Sequence, residues 1–316
     1  MSEDIQVSVI VPSYDHEVFV ASAVRSVLEQ TAAAFEVIAI DDGSNDSSVA
    51  RLEEIEDSRL VVVRQENCGL SRTLNRGLEL ARGRWVKMLP SDDLLEPGAL
   101  AAQVQQADAS GSAVVFCLPT VVDAADQPLG EPGPQAWFDL PASDSAEILR
   151  AMVPRNPLCA PGALFDRELA VRVGGFDPSL RVAQDYDLWF RLLQAGTGRL
   201  VPERRVRVRW HGGNQSAQAT EATEAERAYA LVGALVRRGM QWWTDRFQSR
   251  VALAAALVAS GLREARPFAR ASLVSARTAG ESVGSHPELT SLLQEAPELA
   301  RPGDWGGLPA GTRGWE

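Results

Sequence analysis

Phe35-Glu36-Val37-Ile38-Ala39-Ile40-Asp41-Asp42-Gly43-Ser44 is a run that is apolar but for Glu36 and ends in two acids, a glycine and a serine. A short continuous run of this kind suits a strand buried on both faces, as in a parallel sheet. On its N-terminal side, Val7 to Val11 is a similar β-branched run halted by Pro12. Between the two, Phe19 to Gln30 carries Val20, Val24, Val27 and Leu28 at helical spacing. On its C-terminal side, Leu60 to Val63 reads as a third strand. Leu70 to Ala81 reads as a helix with Leu70, Leu74, Leu78 and Ala81 on one side. Trp85 to Leu89 is a fourth strand that ends at Pro90-Ser91-Asp92-Asp93. Strands and helices thus alternate, which predicts βαβ units and a doubly wound, mostly parallel α/β sheet flanked by helices. Such sheets bind ligands outside the carboxyl ends of their strands. Both acidic clusters fall at such ends.

The middle of the chain is less regular. Ala113 to Leu118 and Ala163 to Phe165 read as strands, and Asp126 to Ser143 as a long Pro- and Gly-containing loop. Gly174-Gly175-Phe176-Asp177 marks a turn, Tyr186 to Ala195 a helix, and Arg204 to Trp210 a strand in which Arg alternates with Val. From about Glu221 the chain is rich in Ala, Leu and Arg and reads as helical. The expected division is an α/β domain over 1–219 and a helical C-terminal appendage over 220–316.

A net charge of −11 argues against a nucleic-acid partner, because that binding rests on neutralising phosphates. Cys68, Cys117 and Cys159 lie far apart with no CxxC pair, which supports neither a zinc knuckle nor a redox motif and suits a reducing cytoplasm. Met1 to Gln6 is polar, and no signal-peptide core follows. The longest apolar stretch, near Val251 to Ser260, is about half of a membrane span. The expected location is cytoplasmic, with peripheral contact at the inner membrane face and a homodimer through the Ala-rich helices both left open.

Adjacent carboxylates at a strand end, as at Asp92 and Asp93, can bind a hard divalent cation together with substrate phosphates. The alternative is a solvated turn capping a helix that starts near Leu94. Asp41 could accept hydrogen bonds from a base or ribose, or simply form a turn with Gly43 and Ser44. Asp185, in Gln184-Asp185-Tyr186-Asp187-Leu188-Trp189, could act as a general base or as the N-cap of the following helix, while Asp187 suits a helix surface or a structural pair. His211, beside Gly212-Gly213-Asn214, could contact phosphate or complete a metal shell; an ordinary loop histidine is the rival reading. Arg204, Arg205, Arg207 and Arg209 are the densest basic stretch, readable as an anion contact or a solvated strand face. Trp242-Trp243 suits a core or an interface.

Taken in order, these pieces resemble the inverting family 2 glycosyltransferases of the GT-A fold, over about Val7 to Ser216. Val9-Ile10-Val11-Pro12-Ser13-Tyr14 resembles the opening strand and nucleotide-contacting turn, and Phe35 to Ser44 the second strand with its base-binding acid. The resemblance implies nucleotide contacts at Pro12, Tyr14, Asp41, Asn75, Ser91 and Asp92. It implies a Mn²⁺ or Mg²⁺ held at Asp93 and His211, and a closing loop with Arg209 and Asn214. Gly174 to Asp177 followed by Gln184 to Asp187 resembles the acceptor-side segment, so Asp185 inherits the role of general base. Asp15 stands where the family often has Asn, Leu74 where Arg is frequent, Pro90 at a common first Asp, and Gln184 at a frequent Glu.

The implied reaction moves a sugar, with inversion, from a nucleotide-sugar donor, UDP-linked by resemblance, to a hydroxyl on a saccharide, lipid-linked or small-molecule acceptor. Cell-envelope or polysaccharide synthesis in a bacterium is the expected setting. Three rivals stand beside it. A nucleotidyltransferase would need a Gly- and basic-rich loop after the first strand, which Pro12 to His16 lacks. A GT-A scaffold would bind nucleotide without catalysis. A polyprenyl-phosphate sugar transferase would draw on the Arg204 to Arg209 stretch.

Overall fold

The computed structural model describes residues 5–31, 34–129, 138, 140–214, 221–279, 281–282 and 287–294. Part of the expected 126–143 loop and the last residues of the tail lie outside that set. The chain forms two compact units, one of residues 1–148 and 157–218, the other of 149–156 and 219–316.

In the first unit, β1 (Val7–Ser13), α1 (Val20–Leu28), β2 (Phe35–Asp41), α2 (Ser48–Glu53), β3 (Leu60–Arg64), α3 (Leu70–Leu80) and β4 (Trp85–Met88) follow one another. Then come β5 (Leu94–Leu95), α4 (Ala99–Ser110), β6 (Val114–Val122), β7 (Ser143–Asp144), α5 (Ser145–Met152), β8 (Ala163–Asp166), α6 (Arg167–Arg172), α7 (Gln184–Ala195) and β9 (Gly198–Arg209). The division between units runs through α5. Among the described residues, nine strands make one sheet in the order β3-β2-β1-β4-β8-β6-β9-β5, with β7 also paired to β9.

The sheet is mostly parallel and helix-flanked. β1, β2, β3 and β4 run parallel, as do β6 and β9; β8 lies antiparallel between β4 and β6. Every residue of β1 and β2 is buried, which is why both read as mostly apolar runs; their inner polar residues, Ser8 and Glu36, bond to each other at 2.6 Å. The register sets Ser13, Asp41 and Arg64 level at the carboxyl ends of β1, β2 and β3. Strand order reverses between β1 and β4, and that reversal opens a crevice at their carboxyl ends.

Two local readings are corrected. No helix starts near Leu94: Leu94 and Leu95 pair with Val206 and Arg207 of β9, and the next helix begins at Ala99. Asp92 and Asp93 therefore cap nothing there. Asp185 is not an N-cap either, because α7 starts one residue earlier and its cap position is Ala183.

The second unit contains α8 (Glu221–Phe247), α9 (Arg250–Ala259), α10 (Arg266–Thr278) and α11 (Pro287–Gln294). Gly239, at φ +71°, breaks the helical path within α8. Ser249 caps α9, its hydroxyl accepting from the amides of Val251 and Ala252. Trp243 is fully buried, whereas the Trp242 ring carries the guanidinium groups of Arg238 and Arg246 at 5.5 and 3.3 Å from its centroid. No described helix is long and apolar enough to cross a membrane.

Candidate active site

The crevice is built first from two loops tied together. After β1, Asp15 takes φ +51°, a left-handed conformation that Asp and Asn tolerate better than most side chains. From there the 15–17 loop joins the 44–48 loop after β2. The amides of Asp15, His16 and Glu17 donate to Ser44 Oγ, Ser48 Oγ and Asp46 Oδ2, and the amides of Asn45 and Ser47 donate back to Asp15 and Glu17. Tyr14 projects from this base with 44% of its surface exposed. Ser13, at the end of β1, has a buried hydroxyl with no hydrogen-bond partner among the described residues.

The two acids after β2 divide the work. Asp41 turns onto its own loop, accepting from the amides of Gly43 and Ser44 and from Ser44 Oγ. Asp42 reaches the start of α3, accepting from Gln65 and from the amides of Cys68 and Gly69. Burial alone would raise its pKa, but these donors hold it below the usual carboxylate range.

After β4, Ser91, Asp92 and Asp93 meet the end of β9. Asp92 Oδ2 lies 3.2 Å from His211 Nε2 and 3.4 Å from Asn214 Nδ2. Asp93 Oδ1 accepts the Arg209 amide at 2.9 Å. Burial, then the charge of Asp92, pushes the Asp93 carboxyl well above its ordinary pKa. His16 Nδ1 is 2.7 Å from Ser91 Oγ. Its ring meets Phe19 and His211 edge-on, and Phe19 stacks on His211 at 5.1 Å. Ser91, Asp92, Asp93, His211 and Asn214 are therefore one cluster, joined by His16 and Phe19.

Arg209 belongs to the same cluster by structure. It is 2% exposed, so the arginines of β9 do not share a solvated face. Its guanidinium grips Asp126 with two bonds, donates to the Asp92 carbonyl at 2.7 Å and lies over the Phe19 ring. Arg207 is instead paired with Glu96, and Arg205 with Glu203. Arg209 thus fixes the backbone of the acidic motif, with its charge already matched by Asp126.

Asn75 lies on α3 with both ends of its amide on the peptide groups of Phe176, so it faces the Gly174–Asp177 turn. Leu74 is fully buried in the core. Asp187 forms a buried pair with Arg191 at 2.5 Å. In α7, ten of the twelve residues are buried; Asp185 and Ala195 are the others. Asp185 accepts the Tyr186 amide at 2.6 Å in the helix's first turn. His16, Phe19 and Asp126 are not legible as site residues in the sequence. For His16 the usable signal is its place directly behind Pro12-Ser13-Tyr14-Asp15.

Among the described residues, no three His, Cys, Asp or Glu side chains converge as a metal-ligand group. The adjacent carboxylates of Asp92 and Asp93 have by themselves the donor chemistry of a hard divalent ion, which commonly takes one or two protein carboxylates and fills its shell with water and phosphate oxygens. The adjacent buried carboxylates, one of them forced toward its neutral form, are the electrostatic situation a cation relieves.

Residues 8–150 match the family model described as glycosyl transferase family 2. An uncharacterised glycosyltransferase of Rickettsia typhi is 26% identical over 222 residues, 69% of this chain and 68% of that protein. The succinoglycan biosynthesis protein ExoO of Rhizobium meliloti is 29% identical over 204 residues, 62% of this chain and 58% of that one. Among solved structures, S. aureus TarS 1-349 in complex with UDP-GlcNAc aligns with TM-score 0.60 at 17% identity, covering 88% of this chain and 93% of that one. Mannosyltransferase PcManGT from Pyrobaculum calidifontis, in complex with GDP-Man and Mn²⁺, aligns with TM-score 0.58 at 21% identity, covering 93% and 79%. At those identities the structural likeness is one of fold, and the fold is GT-A. Residues 8–150 thus match glycosyl transferase family 2, and, with relatives named as glycosyltransferases along two thirds of its length, the chain is a glycosyltransferase.

Proposed function

We propose that the chain transfers a sugar, with inversion, from a UDP-sugar to an acceptor hydroxyl, with Asp185 as general base. The observation that carries this reading is the assembly of Ser91, Asp92, Asp93 and His211 at the carboxyl ends of β4 and β9, beside the exposed Tyr14 and the loop of Asp41. Tyr14 offers a ring for a nucleobase to pack on. Asp41, fixed by Ser44, keeps acceptor capacity for a base or ribose. Asp93 and His211, beside Asp92, would hold a Mn²⁺ or Mg²⁺, and that ion would supply charge stabilisation for the departing diphosphate. TarS and PcManGT are described with a nucleotide sugar, and PcManGT with Mn²⁺, which supports the donor class and the ion.

In the transfer, the acceptor hydroxyl gives its proton to the Asp185 carboxylate as its oxygen bonds to the sugar's anomeric carbon. The bond from that carbon to the diphosphate oxygen breaks, and its electron pair leaves with the nucleotide. Asp185 suits this role because it is one of the two residues of α7 that are not buried and stands in the first turn of the helix. The homologous relative ExoO, a succinoglycan biosynthesis protein, supports a saccharide acceptor.

The test joins binding to turnover. UDP, dTDP, GDP, CDP and ADP are compared by thermal shift with Mn²⁺, Mg²⁺ or EDTA, since a ligand of the folded state alone raises Tm. UDP should stabilise the chain, and only with metal. Asp185→Asn should leave that shift intact and lower cleavage of the donor by about 10²–10⁴-fold. Full turnover by Asp185→Asn would remove the base. Equal stabilisation in EDTA would remove the metal.

A further inference from the structure

We propose that Asn75, with Ser71 one turn before it, is a positioning residue for Asp185. The two side chains fix the Gly174–Leu180 segment on α3 and so set where α7 begins. The inference rests on the reading of Asp185 as base.

Asn75 Nδ2 donates to the Phe176 carbonyl at 2.7 Å, and the Phe176 amide donates to Asn75 Oδ1 at 2.8 Å. A side-chain amide here pairs with a main-chain residue as two strands would pair, so both of its groups and both of Phe176's are satisfied. Ser71, four residues earlier on the same face of α3, donates to the Leu180 carbonyl at 2.7 Å. The close approach needs the glycines. Gly174 and Gly175 have φ of +96° and +65°, and a Cβ on Gly175 would lie 2.6 Å from Asn75 Oδ1. The Phe176 ring is fully buried and seats the turn in the core.

The turn is held from α7 as well. Arg191 donates to the Val173 carbonyl at 2.8 Å while paired with Asp187, two residues beyond Asp185. At its other end, α3 is fastened to the sheet by Asp42, which takes the amides of Cys68 and Gly69. Hydrogen bonds therefore run without a gap from the end of β2, beside Asp41, along α3, to the residues that precede Asp185. The segment has little secondary structure of its own, so these bonds decide its place.

Removing the Asn75 amide leaves a buried amide and carbonyl at Phe176 without partners. The segment must then shift or admit water, and the base shifts with it. A displacement of the order of an ångström at a reacting group can cost about 10²-fold in rate. The nucleotide face should be untouched, because the amide is already committed to Phe176.

Asn75→Ala, Asn75→Asp and Ser71→Ala are compared with wild type well below their melting temperatures. Asp retains the acceptor for the Phe176 amide but sets an oxygen against its carbonyl; Ser71→Ala removes a single bond and serves where the Asn75 variants fold poorly. Activity is nucleotide release from whichever of UDP-N-acetylglucosamine, UDP-glucose, dTDP-glucose and GDP-mannose the wild-type chain cleaves fastest, with water as acceptor. Asn75→Ala should lower kcat by about 10- to 100-fold with nucleotide Kd within twofold. In an Asp185→Asn background the same change should cost less than threefold, since groups acting through one residue are not additive. Hydrogen exchange should quicken at residues 176–187 and stay unchanged at 41–44. Unchanged exchange at 176–187, a weaker nucleotide Kd with intact kcat, or a full multiplicative loss in the double variant each overturns the proposal. Full turnover by Asp185→Asn defeats the base reading and this one with it; a crippled Asp185→Asn beside a normal Asn75→Ala defeats this one alone.

Discussion

Lys87 is the only lysine in the chain, and none of its surface reaches solvent. It sits on β4, its Nζ donating to Gln103 Oε1 at 2.7 Å, while Gln103 donates to the carbonyls of Gly162 and Val115. Burial pushes the ammonium pKa down, with the nearby Cys117 and Cys159 opposing that shift. An amine so placed reacts only when the sheet opens. With an amine-reactive ester under native conditions, Lys87 should be modified only at the rate of unfolding, as followed by peptide mass spectrometry, and denaturant should make its modification fast. Rapid native modification of Lys87 would contradict its burial. The same residue scale shows what a sequence withholds. Residue types and positions for Asp92, Asp93, His211 and Asn214 are legible, because the acids sit at a strand end. What each polar head bonds to is not. Asn75 and Arg209 read as ligand-facing by resemblance, yet the amide of one holds Phe176 and the guanidinium of the other holds Asp126. Those partners lie 101 and 83 residues away, and nothing local announces them.

Elements read well where burial is two-sided. β1, β2 and β4 are buried throughout and appear as mostly apolar runs despite Ser8, Glu36 and Lys87, and the helices between them show their apolar stripes. α4 gives no comparable signal because Ala fills both its faces, and Ala does not distinguish buried from exposed. β5 is too short to show a period, and no pattern within β8 reveals that it runs antiparallel. Helix-to-strand contact is closest where side chains vanish. A Cβ on Gly77 of α3 would meet the Ile10 side chain at 2.5 Å, whereas one on Gly83 would meet the Ser8 backbone nitrogen at 2.6 Å and the Val7 carbonyl carbon at 2.8 Å. A side chain can rotate; a paired strand backbone cannot. Gly77→Ala also gains about 1 kcal/mol of helix propensity against an overpacking cost of about 1–3 kcal/mol. Gly83→Ala should therefore lower Tm more than Gly77→Ala. Equal shifts in a thermal melt would mean that β1 yields as readily as a side chain.

Charge is divided unevenly over the whole molecule. The chain carries −11 overall, yet between Arg227 and Arg277 there are nine arginines against two acids, Asp245 and Glu264. That stretch falls in the helical unit. Some of its arginines are matched: Arg250 with Glu281, Arg227 with Glu224. The guanidinium groups of Arg238 and Arg246 both lie against the Trp242 ring, and burial, then the charge of Arg238, lowers the Arg246 pKa. Net charge governs the far field, but an approaching polyanion feels the nearest charges within a screening length, about 30 Å at 0.01 M salt and about 8 Å at 0.15 M. The full chain should therefore be retained on a heparin support at pH 7 and about 0.01 M salt despite its acidic balance, and should elute as salt rises. Arg238→Ser with Arg246→Ser should elute earlier, because the pair's mutual repulsion is relieved by an anion and the double variant has no such repulsion to relieve. Passage of the wild-type chain straight through the column would show that the acids of the rest of the molecule screen these arginines even at low salt.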